Sequence, residues 1–325
     1  MSLQRTRPGR LYDFKPGQEQ FRQEVLDGLQ KFPRELPTKY LYDKRGSGLY
    51  ERICALEEYY IPRTEAAIMK DNIKDMVKLL GPNAVLIEYG SGNCAKTRIL
   101  LDNMEELTAY VPIDISYEQL QRVSAELGKA YPGLEILPVC ADYTSCNFQL
   151  PSPEKQSDRS VVYFPGSSIG NFGPRAAETL LAGIAAICGQ GGALLIGADL
   201  RKDLDVLYKA YNDSEGVTAA FNLNLLERIN RELQGDFRIE NFEHRAFYNP
   251  DEGCVEMHLV SLKDQSVHID NTAINFKKGE SIWTESSYKY EIDSFMLLAA
   301  AAGFSVEKVW TDERNWFSVQ YLVVI

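Results

Sequence analysis

Residues 291–325 read EIDSFMLLAAAAGFSVEKVWTDERNWFSVQYLVVI, and this stretch decides which kind of α/β fold the chain adopts. A helical run over 291–302 stops at Gly303, and two strand-like segments follow, FSVEKVWTD and WFSVQYLVVI, joined by Glu313-Arg314-Asn315. Upstream lie five short β-rich runs: VLIEY (85–89), AYVPIDI (109–115), LEILPVCA (134–141), SVVYFPG (160–166) and GALLIGADL (192–200). Amphipathic helical segments over 64–80, 95–106, 117–130 and 174–188 alternate with them. Strands that are apolar throughout, interleaved with helices, predict a mostly parallel sheet covered on both faces, a doubly wound α/β domain. The closing helix and hairpin predict that this sheet ends on an antiparallel strand.

Composition narrows the function. The 325 residues carry 35 Lys plus Arg against 46 Asp plus Glu, a net charge of −11. Such a balance argues against nucleic acid, whose phosphates need a basic surface, and against an anionic membrane. Six cysteines (54, 94, 140, 146, 188 and 254) are thinly spread with no C-x-x-C pair, as in a reducing compartment. The three histidines, His244, His258 and His268, have no partner at zinc-ligand spacing, so no metal is expected. Met1-Ser2-Leu3-Gln4-Arg5 lacks the apolar core of a signal peptide, and the apolar run Phe295 to Ala302 is too short to span a bilayer. The expectation is a soluble, cytoplasmic monomer acting on a small molecule. Eighteen tyrosines exceed the 14 Phe and 3 Trp; an aromatic ring with a hydroxyl suits a site that grips something polar, although half-buried core positions are their ordinary place.

Glu88-Tyr89-Gly90-Ser91-Gly92-Asn93-Cys94-Ala95-Lys96 follows the first strand and opens a helix. Glycines let backbone approach a ligand, and a helix start offers free N–H donors. Alone, Gly90-x-Gly92-x-x-Ala95 also fits a dinucleotide fingerprint. Asp114 ends the second strand, where a carboxylate can take both ribose hydroxyls, and Asp142 follows the third, within reach of an adenine amino group. Three ligand-like positions after three successive strands point to an adenosine-bearing ligand, S-adenosylmethionine in preference to NAD. A sheet ending in a helix and hairpin is how class I methyltransferases end, whereas a dinucleotide dehydrogenase more often continues into a substrate domain.

LYDKRGSGLYERICALEEYYIPRTE (41–65), IEYGSGNCAKTR (87–98), YVPIDIS (110–116), FPGSSIGNF (164–172), KAYNDSEGVTAAFNLNLLERINREL (209–233), VEMHLVS (255–261) and TESSYKY (284–290) together resemble the L-histidine Nα-methyltransferases of ergothioneine biosynthesis. These blocks run in order from about residue 36 onward and are far more specific than the glycine loop. The resemblance implies a class I (Rossmann-like) methyltransferase fold with a second α+β substrate-binding lobe. The expected division is 60–201 plus 285–325 for the S-adenosylmethionine-binding domain, and 1–59 plus 202–284 for the lobe.

The same resemblance implies cofactor contacts at Gly90, Ser91, Gly92, Lys96, Asp114, Asp142 and Tyr143, with Tyr42 close to the reacting centre. It implies histidine contacts at Tyr59, Asn171, Tyr211, Glu285 and Ser287, with Tyr50, Gly166 and Met257 lining the pocket. Tyr42 and Asn171 are the expected catalytic pair, hydrogen-bonding the substrate amine. Tyr50 and Tyr143 stand where the family commonly has Phe, and Glu57 where Pro is common. The competing expectations are an N-methyltransferase of another aromatic or modified amino acid, a dinucleotide-dependent oxidoreductase, and a non-catalytic amino-acid sensor. For individual residues the plain alternatives are a solvated helix face for Lys96, satisfied or exposed histidines, and core hydrogen bonds for the polar residues of 219–233.

Overall fold

A computed structural model describes residues 11–92, 94–145 and 148–325; Cys146 and the N-terminal segment considered above for a signal peptide lie outside them. In chain order the elements begin with β1 (Tyr12–Phe14), α1 (Gln18–Gln30), β2 (Arg34–Glu35), α2 (Lys44–Ala55) and α3 (Ile61–Leu80). Next come β3 (Ala84–Tyr89), α4 (Thr97–Leu101), β4 (Ala109–Asp114), α5 (Tyr117–Ala130), β5 (Glu135–Ile136) and β6 (Val139–Ala141). After β7 (Arg159–Phe164), α6 (Pro174–Cys188) and β8 (Ala193–Asp199) the chain forms α7 (Leu204–Tyr211) and α8 (Val217–Leu233). Five further strands follow: β9 (Phe242–Asn249), β10 (Cys254–Ser261), β11 (Gln265–Ile269), β12 (Thr272–Phe276) and β13 (Ser281–Tyr288). The chain closes with α9 (Ile292–Ala301), β14 (Phe304–Thr311) and β15 (Phe317–Val324).

Two compact units result. The first holds residues 11–15, which include β1, with Ile61–Leu200 and Tyr290–Ile325. Its sheet has the order β1-β6-β4-β3-β7-β8-β15-β14, with β5 beside β4. Every pairing from β1 to β8 is parallel, and β15 runs antiparallel to both β8 and β14. This is the class I methyltransferase arrangement expected from 291–325. β3 and β8 are buried along their whole length because helices cover both faces. One face packs Val85, Ile87, Val111, Ile113, Val162, Leu194 and Ile196 against Ala177, Leu181 and Ile184 of α6 and Phe295 of α9. On the other face α3 lies against β15 and β8, and Tyr163 donates to Met69 Sδ at 3.1 Å.

The second unit comprises Pro16–Tyr60 and Arg201–Lys289. Its four-stranded sheet has the order β2-β13-β10-β9, and β11 and β12 form a separate hairpin. α8 packs on α2, β9 and β10, and its buried Phe221, Leu225, Leu226 and Ile229 form that core.

Several boundaries differ from expectation for local reasons. The sequence places the first sixty residues outside the main sheet, yet β1 pairs with β6 as its edge strand. Residues 285–289 belong to the second unit, because β13 pairs antiparallel with β10 through Tyr288. The helix over 95–106 shortens to α4, its start taken up by the glycine loop. The run 134–141 splits into β5 and β6 at Leu137-Pro138, since Pro138 has no N–H for a ladder. No described helix is long and apolar enough to cross a membrane.

Candidate functional site

In the first unit, β3 leaves the sheet at Gly90, whose φ of +72° a side-chain-bearing residue rarely adopts. A Cβ there would also lie 3.9 Å from Cε1 of Tyr143. The N–H groups of Gly90 and Ser91 both donate to the Ile113 carbonyl, at 2.9 and 3.2 Å, tying the loop to the end of β4. Asp114 completes the clamp: its carboxylate accepts the Gly92 and Ser116 N–H groups, both at 2.9 Å. Burial raises its pKa, partly offset by those backbone donors. Asp142 is buried and accepts the Thr144 N–H at 2.9 Å. Tyr143 stacks on Tyr89 with centroids 5.1 Å apart and meets Phe164 edge-on at 5.6 Å. Gly90, Ser91, Gly92, Asp114 and Tyr143 are thus brought together. The Ser91 hydroxyl is buried and has no hydrogen-bond partner among the described residues.

Two buried carboxylates support this loop, and reading the sequence missed both. Glu88, 1% exposed, accepts both Thr97 Oγ1, at 2.7 and 2.6 Å, and the Tyr110 hydroxyl. Burial pushes its pKa up to about 8, against the pull of those donors and of Lys96. Glu65, fully buried in α3, pairs with Lys96 and accepts the Gly166 N–H at 2.9 and 3.1 Å. Lys96 is therefore no solvated cation, because a buried acid fixes it beside the loop that carries Gly166. At Gly166 φ is +75°, and a Cβ would approach Lys96 Nζ to 3.3 Å. The chain then makes a short 3-10 turn, Ser168–Asn171, with Asn171 half-buried at its end. A Glu inside the apolar run VLIEY was the visible signal for Glu88. Glu65 sits one position beyond a helical Thr and gave none.

In the second unit an aromatic arc assembles from three separate segments. Tyr42 lies 5.5 Å edge-on from both Tyr50 and Phe221, Tyr50 is 6.4 Å from Tyr59, and Tyr59 is 6.2 Å from Tyr211. Asp43 sets Tyr42 in place. It caps α2 by accepting the Gly46 N–H at 2.7 Å, takes Asn224 Nδ2 at 2.8 Å and pairs with Arg231 at 2.5 Å. Polar residues of α8 thus serve the scaffold, in line with the plain alternative for that helix. Asn222 likewise donates to the His258 carbonyl at 3.1 Å and meets His244 Nδ1 at 3.0 Å. The histidines are satisfied too: His244 bonds the Tyr211 carbonyl, His258 bonds Glu256 and Ser281, and His268 bonds Asp236.

β13 presents the remaining residues. A bulge opposite Met257 and His258 re-phases the strand, and Thr284 Oγ1 closes it by donating to the Met257 carbonyl at 3.0 Å. Beyond it Glu285 pairs across the ladder with the buried Met257, Ser287 follows at the two-residue spacing of one strand face, and Lys289 comes two residues later, just past the strand's end. Tyr211 donates to Ser287 Oγ at 2.7 Å. Lys289, only 3% exposed, donates to the Tyr211 oxygen at 2.9 Å and to Ser287 Oγ at 2.6 Å. Burial raises the Glu285 pKa to about 7, with Lys289 opposing. Lys289 is the residue sequence reading overlooked in this unit, although its spacing from Glu285 and Ser287 was there to see.

Comparison with known proteins gives the family. Residues 21–324 match the family model described as histidine-specific methyltransferase, SAM-dependent. The histidine N-alpha-methyltransferase of Mycolicibacterium smegmatis is 38% identical over 94% of this chain and 95% of its own length. That of Mycobacterium tuberculosis is 37% identical over 92% and 93%. Ergothioneine biosynthesis protein 1 of Neurospora crassa is 32% identical over 86% of this chain and 32% of its own.

Proposed function

The chain belongs to the S-adenosylmethionine-dependent, histidine-specific methyltransferases, and from that premise we propose that it methylates the α-amino group of L-histidine three times, giving the Nα-trimethyl betaine hercynine, the first step of ergothioneine biosynthesis. The observation that carries the substrate reading is the β13 wall, where the half-buried Glu285 carboxylate precedes Ser287, itself bonded to Tyr211. A carboxylate that accepts a ring N–H favours imidazole over phenyl, which would leave a polar group unpaired.

S-adenosylmethionine, when bound, supplies a methyl group already activated by its sulfonium. The proposed holders are Gly90, Ser91 and Gly92 by backbone and hydroxyl, Asp114 at the ribose, Asp142 and Tyr143 at the adenine, and Lys96. The protein's remaining work is positioning a neutral amine for in-line transfer. A free α-amino group titrates near pH 8, roughly, so a usable neutral fraction exists without a strong base. Tyr42 and Asn171 are proposed to hydrogen-bond that amine, and Tyr59 to donate to the substrate carboxylate, while Tyr211, whose hydroxyl hydrogen goes to Ser287, lines the seat beside it. As methyl groups accumulate, the nitrogen loses its N–H groups and gains a fixed charge. Aromatic faces suit that cation, and Tyr42, Tyr50 and Tyr59 supply them.

The test is to incubate the protein with S-adenosylmethionine and all twenty amino acids, and to search by mass spectrometry for one to three added methyl groups. Histidine should gain three. Methylation of a different amino acid with histidine untouched would overturn the substrate reading.

A further inference from the structure

The family and the proposed chemistry give no task to Lys289, a buried charge of the second unit. Lys289 lies behind Tyr211 and Ser287, and its ammonium donates to both hydroxyl oxygens. A lysine so buried is uncommon, because desolvating an ammonium is costly unless its donors are met. The hydrogens in this cluster can be followed one by one. An ammonium has donors only, so both hydroxyl oxygens are acceptors towards it. Tyr211 then donates its own hydrogen to Ser287. Ser287 Oγ therefore receives two hydrogen bonds, which occupy both of its lone pairs. Only its hydrogen is left for a further partner, so Ser287 meets that partner as a donor.

We propose that Lys289 is a positioning residue for substrate specificity, which turns Ser287 into an obligate hydrogen-bond donor beside the acceptor Glu285. The inference rests on the proposed seat of the amino acid at Tyr211, Glu285 and Ser287. An acceptor and a donor two residues apart on one strand face match a ring with one N–H and one bare nitrogen, which is neutral imidazole. Phenyl offers neither group. Indole offers an N–H for Glu285 but no lone pair, so Ser287 would keep an unsatisfied hydrogen. Lys289 thereby sets discrimination against tryptophan as well as affinity for histidine, and it does so through two hydroxyls without touching the substrate.

The experiment uses full-length protein at saturating S-adenosylmethionine, with histidine and tryptophan as varied substrates. Lys289→Met keeps an unbranched chain of similar length and removes all three donors. It should raise the histidine KM about tenfold or more, as loss of a charge-assisted network does, with kcat within about threefold. The ratio of kcat/KM for histidine over tryptophan should fall by a similar factor. In a Ser287→Ala, Tyr211→Phe background both hydroxyls are gone, and there Lys289→Met should no longer raise the KM. Binding of S-adenosylhomocysteine reports folding. A Lys289→Gln variant, uncharged but still a donor, is made alongside and should lie between wild type and Lys289→Met. If Ser287→Ala and Tyr211→Phe themselves leave the histidine KM unchanged, the seat of the amino acid is misassigned and the underlying reading fails. If they raise it while Lys289→Met does not, or if its effect persists at full size in the hydroxyl-free background, the role given to Lys289 is overturned. Loss of S-adenosylhomocysteine binding in both Lys289 variants would assign the residue to folding and likewise overturn the proposal.

Discussion

Replacing Glu88 by glutamine isolates the effect of one buried proton. The folded-state pKa of Glu88 is raised to about 8, against 4.5 as the ordinary value. Between those limits the native protein holds a proton that the unfolded chain has released. Stability therefore falls as pH rises from about 4.5 to about 8, and it is fully present only below the lower limit. The interval is 3.5 pH units, the difference between the two values. At about 1.4 kcal/mol per unit, the wild type should lose on the order of 5 kcal/mol across it. The amide of Glu88→Gln has the same shape and cannot ionise. Its NH2 would meet the Tyr110 hydroxyl, which can turn its own hydrogen onto Cys94 Sγ, 3.3 Å away. The assay is urea unfolding of both proteins at pH 5 and pH 8. The variant should lie within about 1 kcal/mol of wild type at pH 5 and be more stable by several kcal/mol at pH 8. Glu285 and His244 titrate in both proteins and cancel from the difference. A difference that is the same at the two pH values would refute the reasoning.

Three further outcomes are expected. Because burial holds the Glu285 pKa at about 7, its acceptor form grows as pH rises through that value; histidine KM should fall between pH 6 and 8 more steeply in wild type than in Glu285→Gln, and equal slopes would remove Glu285 from ring recognition. Asp114→Ala releases the Gly92 and Ser116 N–H groups from their clamp; calorimetry should find S-adenosylhomocysteine binding about tenfold weaker or worse, and unchanged affinity would exclude Asp114 from the cofactor site. Phe substitutions at Tyr42, Tyr50 and Tyr59 keep the rings and remove the hydroxyls, so kinetics should slow the first methylation most and the third least; equal losses on histidine and on its mono- and dimethyl forms would sink the idea that rings serve the late cation.

The central sheet was legible because its fully buried parallel strands are apolar at every position but one, Glu88 in β3 and Asp199 in β8, and because Gly303 and the Glu313-Arg314-Asn315 turn punctuate its ending. β1 was not, since three residues at a sheet edge carry no period, and only the pairing of Tyr12 with Val139 reveals it. Asp114 and the glycine loop could be read from their positions after strands. Glu65 could not, because its partners Lys96 and Gly166 lie 31 and 101 residues away. Lys289 is the intermediate case. Its spacing from Glu285 was visible, but the bulge that aligns this face with Met257 exists only in the pairing of β10 with β13.

The path of the chain has a consequence for synthesis. It leaves the first unit at Leu200 and returns at Tyr290, where those two residues form a parallel bridge. β15, the strand that covers the outer edge of β8, is made later still. Between Asp199 and Phe317 the ribosome adds 118 residues (317 − 199), which takes roughly 6 to 24 s at about 5–20 residues per second. Throughout that interval the apolar edge of β8 has β7 on one side and no finished neighbour on the other, the condition in which strands pair with other chains. Substitutions that weaken β15 should accordingly appear first as lower soluble yield, with the specific activity of the protein that does fold left intact.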